Sequence, residues 1–431
     1  MKSRRTIGIA LAAISGLVAM AACSSPAPTQ TSVSTPPSQS QPAGDATITY
    51  WHAYSADSQE ITVLEKTVIP AFEAANPGVK VTSVPVPYDD LHQKLVTGIA
   101  GGELPDVVRS DIIWVPELAN LGVLEPLDTA MGDFQAISQA VYPGPLATNK
   151  WKDHYYGLPL DTNTLVMLNN PAAFDKAGVK MPSTLKEFAG LADTFKAKDV
   201  ALYADGNLNG WNVLPFIWSF GEDIVSPDVT KATGILHGPQ SVAAIQALYA
   251  LYRPGAIPAF VTQDGATDPA DGFSQAKYAT MMGGPWMYPI LEGSFPDLKF
   301  EATMLPAGDG GSISVVGGED IVMTSASKNK EAAAKFISYL LGEETQKEFA
   351  KIGQMPVLSS LAGDLTAIQP YYATFSEQLK TAKPRPATPA WTEMDTRLEA
   401  ALQELFLGGG DVRKTLDSLA AEFDGLLAQY Q

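Results

Sequence analysis

Strand-like and helix-like segments alternate at a regular pace over residues 46–109, and this alternation limits the possible folds more than any other feature. Apolar and alternating runs predict strands at 46–51, 79–86 and 106–109. Apolar residues at helical spacing predict helices at 58–76 and 88–100. This order predicts βαβ units, a parallel-type sheet and hence an α/β fold. No GxGxxG or GxxxxGKS/T motif follows these strands, so nucleotide binding has no motif to support it.

The rest of the chain continues the mixture of strands and helices without an internal repeat. Strand patterns occur at 298–306 and 313–323. Two amphipathic helices, separated by Gly408-Gly409-Gly410, are predicted after residue 392. Further helices are predicted near 184–197, 239–252, 272–277, 330–341 and 343–352.

The N-terminus has the order of a secretory signal. A basic start containing Lys2 and two arginines precedes an apolar stretch at 6–20 and two small residues before Cys23. The apolar stretch is shorter than the roughly 20 residues of a membrane-spanning helix. Residues 20–23 (MAAC) resemble the lipobox of bacterial lipoproteins, although Met20 stands where leucine is usual. We therefore predict a lipoprotein signal peptide at 1–22, with lipid attached to Cys23.

Cys23 is the only cysteine, so it has no partner for an internal disulfide, and an anchor is its obvious use. An ordinary signal peptide with a chance cysteine is the alternative. The following residues are nearly all Ser, Thr, Pro, Gln and Ala, which predicts a disordered tether over 23–45. The mature protein would then be extracytoplasmic and held to the outer face of the cell membrane through Cys23.

The charge of the mature chain excludes several kinds of partner. Cleavage before Cys23 leaves 409 residues with 26 Lys and Arg against 47 Asp and Glu, a net charge of −21. Such acidity argues against nucleic acid and polyanionic ligands. The four histidines have no paired spacing, so we expect no metal site and no cofactor. The length suits two lobes.

Several motifs, taken in order, resemble one family. They are the run from WHAYS to PLD at 51–128, YYGLPLDTNTLVMLNN at 155–170, GGPWM at 283–287, GGEDIVM at 317–323, GQMPV at 353–357 and RPATPAW at 385–391. Together they resemble the family-1 extracellular solute-binding proteins of carbohydrate ABC importers, the maltose-binding type. The resemblance covers residues 46–431.

This resemblance implies a two-lobed α/β fold of the periplasmic-binding-protein type, class II. Each lobe would be a mixed sheet flanked by helices, with crossings near 157–161 and 312–318 and a final C-terminal crossing. The N-terminal lobe would comprise 46–157 and 312–358, and the C-terminal lobe 158–311 and 359–431. The implied monomer closes around a sugar, performs no chemistry and delivers the sugar to the transmembrane subunits of an ABC permease.

A sugar needs flat rings for its C–H faces and fixed polar groups for its hydroxyls. The sequence places such residues mostly where strands end in turns, which is the usual position of ligands in α/β sheets. The candidates are Trp51, His52, Tyr54, Ser55, Asp111, Trp114, Asp161, Asn163, Trp211, Gly284, Trp286, Gly318, Glu319, Gln354 and Arg385.

Some candidates also have a purely structural interpretation. Of Trp211 and Trp218, at least one is expected in the core, and Trp211 is favoured as the stacking ring. The other structural alternatives are core packing for Trp51, a helix N-cap for Asp111, a satisfied turn for Asp161, a tight turn at Gly318 and an ion pair with an acid of its own lobe for Arg385.

Two rival functions remain open. A secreted glycosidase would need two carboxylates about 5–10 Å apart, and Asp111, Asp161 and Glu319 could supply them. The second rival function is the binding of a charged solute such as iron or glycerol phosphate. Several aromatic candidates favour a di- or oligosaccharide, with an α-glucoside such as maltose or trehalose first and xylo- or arabino-oligosaccharides next.

Overall fold

A computed structural model describes residues 45–431 apart from 56–57, 205–206 and 252–266. The predicted leader, Cys23 and the tether up to residue 44 lie outside the described residues. The strands are β1 (Ala46–His52), β2 (Val79–Pro85), β3 (Val107–Asp111), β4 (Lys150–Trp151), β5 (His154–Tyr155), β6 (Gly157–Pro159), β7 (Asn163–Thr164), β8 (Val166–Asn169), β9 (Ala201–Ala204), β10 (Tyr278–Gly283), β11 (Glu301–Thr303), β12 (Val316–Gly317) and β13 (Glu319–Met323).

The helices lie between and after these strands. They are α1 (Gln59–Val63), α2 (Ile69–Ala75), α3 (Tyr88–Gly101), α4 (Val115–Asn120), α5 (Leu127–Ala130), α6 (Phe134–Ala140), α7 (Pro143–Thr148), α8 (Pro171–Ala177), α9 (Leu185–Gly190), α10 (Ala192–Lys196), α11 (Gly210–Phe220), α12 (Pro239–Leu251), α13 (Pro269–Ser274), α14 (Met287–Ser294), α15 (Lys330–Leu340), α16 (Glu343–Ala350), α17 (Leu365–Ile368), α18 (Tyr372–Leu379), α19 (Trp391–Gly408) and α20 (Val412–Leu427). Short 3₁₀ turns occupy Ser359–Leu361 and Ala428–Tyr430.

The alternation at the start of the chain builds a five-stranded sheet in the order β2-β1-β3-β13-β6. β1 pairs in parallel with β2 and β3, as the βαβ pattern predicts. β13 is distant in sequence from β3 and β6. It pairs antiparallel with both of them, which makes the sheet mixed.

Both faces of this sheet are covered. Successive residues of a strand point to opposite faces, and here they enter different apolar clusters. Ile321 and Met323 join the cluster that contains Phe336 of α15, whereas Val322 joins the cluster that contains Leu118 of α4. Burial on both faces explains the continuous apolar run of Ile321, Val322 and Met323 in β13, whereas the edge strand β2 alternates and is partly exposed.

The second sheet has four strands in the order β11-β8-β10-β9. Its alternating residues also enter two clusters: Met167 packs with the group around Trp391, and Leu168 with the group around Tyr372. β12 and β7 form a separate two-stranded pair, with Gly317 opposite Asn163. The segment predicted as a crossing at 157–161 contains β6 of the five-stranded sheet, and the one at 312–318 contains β12 of this pair. The lobe boundaries stay predictions.

Some predicted elements are shorter or divided. The helix predicted at 58–76 is α1 and α2 with a π-helical turn, Leu64–Val68, between them. Pro70 at the start of α2 has no N–H to donate, which interrupts the regular helical hydrogen bonding. The helix predicted at 184–197 is divided into α9 and α10, and the strand predicted at 298–306 is only β11. Across the described residues, no helix is long and apolar enough to cross a membrane.

Candidate functional site

A cavity of about 620 Å³ opens where the ends of several elements meet. Asp111 at the end of β3 and Glu319 at the start of β13 are register partners and form one wall. Trp211 at the start of α11 and Trp286 before α14 form a second wall of the cavity. The first three turns of α19 and the start of α3 add to the lining. Concave sites of this size with rings and a few polar groups are typical of small-ligand binding.

The structure brings most of the predicted site residues together. Eleven of the fifteen candidates line this cavity, although they come from segments up to 331 positions apart in the chain. They are Tyr54, Ser55, Asp111, Trp114, Asn163, Trp211, Trp286, Gly318, Glu319, Gln354 and Arg385.

The aromatic rings of the cavity are arranged in pairs. Trp211 and Trp286 have ring centroids 6.4 Å apart with planes inclined by 28°. Trp114 lies 5.0 Å from Tyr88, whose ring sequence reasoning did not select. Trp218, by contrast, is 1% exposed and donates its indole N–H to Asp223 at 2.9 Å. Trp211 therefore lines the cavity, with the Arg385 guanidinium 5.0 Å from its ring centroid, and Trp218 belongs to the core.

Arg109 organises the acids on the β3–β13 side. Its Nη2 lies 2.8 Å from Glu319 Oε2, 3.1 Å from Asp161 Oδ2 and 3.2 Å from Gln354 Oε1. Its guanidinium also sits 4.4 Å from the centroid of the Tyr54 ring. Burial raises the pKa of Glu319, with Arg109 opposing and Asp161 adding to the shift. Arg109 therefore fixes the orientation of Glu319 and Gln354 and neutralises part of the charge of Glu319 and Asp161.

Asp111 lines the cavity and makes a local turn contact, but it is not a helix N-cap, since α4 begins after Trp114. Its Oδ1 accepts a hydrogen bond from the backbone N–H of Ile113 at 2.9 Å, a local turn contact. Its Oδ2 accepts from the Tyr88 hydroxyl at 2.7 Å, and Arg385 Nη2 lies 3.2 Å from Oδ1. Arg385 thus pairs with an acid at the end of the five-stranded sheet rather than with one of its own predicted lobe.

Two glycines let the β12 segment approach the site closely. A Cβ on Gly317 would lie 2.4 Å from the Trp211 ring and 2.3 Å from Asn163 Oδ1. Gly318 has φ of +128°, and a Cβ there would lie 2.4 Å from the Asp161 carbonyl oxygen. Only glycine adopts this backbone without strain.

Four candidates lie outside the cavity lining. Trp51 packs with the cluster around Trp114 and Leu118, and His52 is fully buried with Nε2 2.8 Å from Ser83 Oγ. Burial lowers the pKa of His52 to about 4. Asp161 is 4% exposed and faces Arg109.

Gly284 is the fourth: a Cβ there would lie 2.1 Å from the Trp286 ring, so this glycine makes room for that ring. The geometry gives these four residues supporting positions, and direct ligand contact by them stays a prediction.

Sequence reasoning missed the polar stripe of α19 and the residues that face it. Thr392, Asp395, Thr396 and Glu399 recur at helical spacing, and that periodicity was the available signal. The other missed lining residues are Ala53, Glu60, Tyr88, Asp89, His92, Arg109, Ile113, Asn207, Asn209, Asn212 and Gly317. Most of these have no local pattern that separates them from ordinary surface residues.

The cavity is acidic. Among the described residues, six carboxyl groups line it against two guanidiniums. Burial raises the pKa of Asp395 to about 6. Within the described residues no group of three or more His, Cys, Asp or Glu could hold a metal ion.

Comparison with known proteins gives a consistent result. Residues 55–347 match the family described as bacterial extracellular solute-binding protein. A putative binding protein of Brucella abortus (strain 2308) is 30% identical over 397 residues, which cover 87% of this chain and 95% of that protein. The maltotriose-binding protein of Pyrococcus abyssi (strain GE5 / Orsay) is 24% identical, covering 91% of this chain and 83% of that protein.

The sn-glycerol-3-phosphate-binding periplasmic protein of Escherichia coli (strain K12) is 23% identical, with 89% and 93% covered. Among solved structures, the GacH receptor of Streptomyces glaucescens GLA.O, studied unliganded and with acarbose, matches at a TM-score of 0.79 and 21% identity. The match covers 90% of this chain and 100% of that one. The likeness shows the predicted fold, with two lobes and mixed sheets flanked by helices.

Proposed function

Because the chain belongs to the bacterial extracellular solute-binding proteins, we propose that its cavity binds a di- or oligosaccharide for delivery to the membrane subunits of an ABC transporter. An α-glucoside such as maltose or trehalose is the first candidate, followed by xylo- or arabino-oligosaccharides. The proteins of this family bind solutes and are not enzymes, so the glycosidase alternative is set aside.

The observation that carries the proposal is the pairing of rings with amides and hydroxyls in one cavity. Trp211 and Trp286 offer flat faces to the C–H side of a sugar ring. Asn209, Asn212 and Gln354 stand on the same lining and can bond to hydroxyls. Names of similar proteins that mention maltotriose and acarbose support the same ligand class.

A charged anionic solute fits the cavity less well. In the described part of the lining there are two arginines, and both are paired with carboxylates: Arg109 with Glu319 and Asp161, and Arg385 with Asp111. A phosphate would have to displace one of these acids or lie beside uncompensated ones.

A thermal-shift screen tests the ligand class. Because a ligand bound only by the folded state raises the melting temperature by mass action, we expect maltose, trehalose or a pentose oligomer to raise it in proportion to the logarithm of its concentration. Glycerol 3-phosphate is the anionic control and is expected to give no shift. A panel in which glycerol 3-phosphate alone stabilises the protein would contradict the proposal.

We further propose that the protein is a monomer tethered by lipid on Cys23 to the outer face of the membrane. A flexible tether of about twenty residues keeps a receptor concentrated near its permease and free to reorient. More than one acyl chain gives stable anchoring, since each buried CH₂ adds about 0.8 kcal/mol.

The Cys23→Ala variant tests the anchor. It is expected in the soluble fraction after cell fractionation, whereas the parent chain partitions with membranes and into detergent. Persistent membrane association of the variant would contradict the anchor and leave the ligand proposal untouched, because residue 23 is remote in sequence from every lining residue.

A further inference from the structure

We propose that Glu319 stands in the ligand site as a neutral carboxylic acid whose proton points to Asp161, and that the affinity for ligand depends on this proton. Glu319 lines the cavity, and Asp161 contacts Arg109 without lining it. The part of the inference that concerns affinity rests on the proposed saccharide binding, and the part that concerns the proton does not.

One guanidinium nitrogen lies close to three acceptors here. Arg109 Nη2 is 2.8 Å from Glu319 Oε2, 3.1 Å from Asp161 Oδ2 and 3.2 Å from Gln354 Oε1. This nitrogen carries two hydrogens, and it donates them to Asp161 and Gln354. Glu319 Oε2 is therefore near the positive charge but receives no hydrogen bond from it.

The Oε2 atom of Glu319 is an unsatisfied buried oxygen. Within the described residues it has no hydrogen-bond partner, although the side chain as a whole is 19% exposed. Burial disfavours an ionised carboxylate unless hydrogen-bond donors or opposite charges compensate it. A proton on Oε2 removes this requirement, because the atom then becomes a donor.

Asp161 is the acceptor that this donor needs. It is 4% exposed, and its Oδ2 lies against the same Arg109 nitrogen as Glu319 Oε2. Its Oδ1 accepts a hydrogen bond from the backbone N–H of Glu319 at 3.3 Å, which holds the two residues together. Like charges in such close positions do not both ionise readily. The pair therefore retains one proton, and Arg109 balances the remaining negative charge.

The other groups around Glu319 strengthen this argument. The titratable groups that face it or its partners are Tyr50, His52 and Tyr54 of β1, Glu60 of α1, Tyr88 of α3, Arg109 and Asp111 of β3, Asp161 and Arg385. Burial lowers the pKa of His52 to about 4, so this ring is uncharged at pH 7.

The arginines do not supply Glu319 with a cation of its own. Arg385 is paired with Asp111, so Glu319 and Asp161 share the charge of Arg109. Burial raises the pKa of Glu319, and the charge of Asp161 raises it further against the opposing effect of Arg109.

A neutral Glu319 suits a saccharide hydroxyl. With the proton on Oε2 directed to Asp161, Oε1 is left as a carbonyl-type acceptor for the ligand. Loss of the proton would place two anions against each other at this wall, so the contact between Glu319 and the ligand should weaken above the pKa of Glu319. Glutamine reproduces the neutral acid, since its amide N–H donates while its carbonyl accepts.

Carbon NMR of the ligand-free protein tests the proton directly. The full-length protein is labelled with carbon-13 at the glutamate carboxyl, and Glu319 is assigned as the resonance missing from Glu319→Gln. We expect this resonance to have the shift of a protonated acid at pH 7. Asp161→Asn removes the neighbouring charge and should lower the titration midpoint by at least about one pH unit. Glu404→Gln, at an exposed position of α19, should leave it unchanged.

Calorimetric titration tests the dependence of affinity on the proton. For a saccharide that raises the melting temperature, the affinity of the parent should be constant below the NMR midpoint and at least about fivefold weaker one pH unit above it. Glu319→Gln should keep the parent affinity at pH 6 within about threefold and lose the pH dependence, because it cannot ionise. Glu319→Ala lacks the acceptor and should bind at least about tenfold more weakly at every pH.

The outcomes separate this inference from the proposed function. A carboxylate resonance for Glu319 in the parent at pH 7, or an unchanged midpoint in Asp161→Asn, would overturn the neutral acid. A pH profile that Glu319→Gln shares with the parent, or equally weak binding by Glu319→Gln and Glu319→Ala, would overturn the role of the proton in affinity. Absence of binding by every saccharide would overturn the proposed function, and the NMR result would still decide the proton.

Discussion

At the scale of single residues, this protein separates side chains that look alike in the sequence. Trp211 and Trp218 lie on the same helix, two turns apart, yet one ring faces the cavity and the other is 1% exposed. Asp395 and Glu404 are acids of one helix, yet only Asp395 is held near other carboxylates in a partly buried position. These differences make paired variants informative.

Replacing Trp211 with alanine should affect binding more than stability. We expect saccharide affinity to fall about tenfold to a hundredfold, which corresponds to about 1.4–2.8 kcal/mol. Because this ring is only partly buried against the core, the free energy of unfolding should fall by less than in the Trp218 variant. The matched Trp218→Ala change removes a fully buried ring and should cost about 3–5 kcal/mol of stability. Calorimetric titration and urea unfolding measure the two effects, and a stability loss equal in both variants would place Trp211 in the core.

Asp395→Asn should change how stability depends on pH. Burial raises the pKa of Asp395 to about 6, against an opposing effect of Arg385, with Glu399 and Asp111 adding negative charge nearby. The folded state therefore binds this proton more tightly than the unfolded state, whose Asp titrates near pH 4. Stability contributed by the neutral carboxyl is present below about pH 4 and is lost as pH rises to about 6.

Since asparagine cannot ionise, the variant should be more stable than the parent at pH 7, by at most about 3 kcal/mol. The difference should shrink toward zero at pH 4. Urea unfolding at pH 4, 5, 6 and 7 measures it, with Glu404→Gln as the control. A difference that does not vary with pH would mean that Asp395 keeps an ordinary pKa.

At the scale of elements, the site depends on which strand ends are register partners and on which segments pack against those ends. Asp111 and Glu319 meet because β3 and β13 pair antiparallel in that register, although 208 positions separate them. β12 brings Gly317 against Trp211 and Asn163. The cavity wall is therefore a product of strand register more than of any single loop.

Gly317→Ala should damage the site through crowding. The added methyl would lie 2.4 Å from the Trp211 ring and 2.3 Å from Asn163 Oδ1, so one of them must move. We expect saccharide affinity to fall at least tenfold. Gly144→Ala, inside α7 with no atom within 4 Å of the new methyl, is the control and should change stability by less than about 1 kcal/mol. Equal affinity of the two variants would argue against a tight β12–Trp211 contact.

At the scale of the whole molecule, contacts across the cavity bear on the proposed closure around a ligand. Arg385, before α19, pairs with Asp111 of β3, and Thr392 of α19 donates to Glu117 of α4 at 2.8 Å. Ligand contacts to both sides would favour the closed form in the same way.

Removing the Arg385 pair should shift the ligand-free protein toward an open form. We expect Arg385→Met to have a larger radius of gyration by small-angle scattering without ligand, and the parent to contract when saturated with saccharide. Arg413→Met, which removes an exposed pair with Asp417 on α20, is the control and should scatter like the parent. Saccharide binding without any contraction of the parent would contradict hinge closure.

Much of the architecture could be predicted from local patterns. The βαβ order of 46–111, the two C-terminal helices and the ring-bearing and acidic strand ends are visible in the sequence, because burial on one side or both leaves a periodic apolar signal. That signal is weakest where a segment is short or interrupted, as at β11 and at the π-helical turn Leu64–Val68.

What the sequence by itself determined was the fold class, the acidity and the supply of rings and acids at strand ends. Only the tertiary structure decided which of them share a cavity. It placed Asp161 beside Arg109, buried Trp218 in the core, and brought Asp89 of α3 and Glu399 of α19 to the same cavity. The physical reason is that these outcomes depend on register and packing between segments far apart in the chain, which leave no periodic trace in either segment.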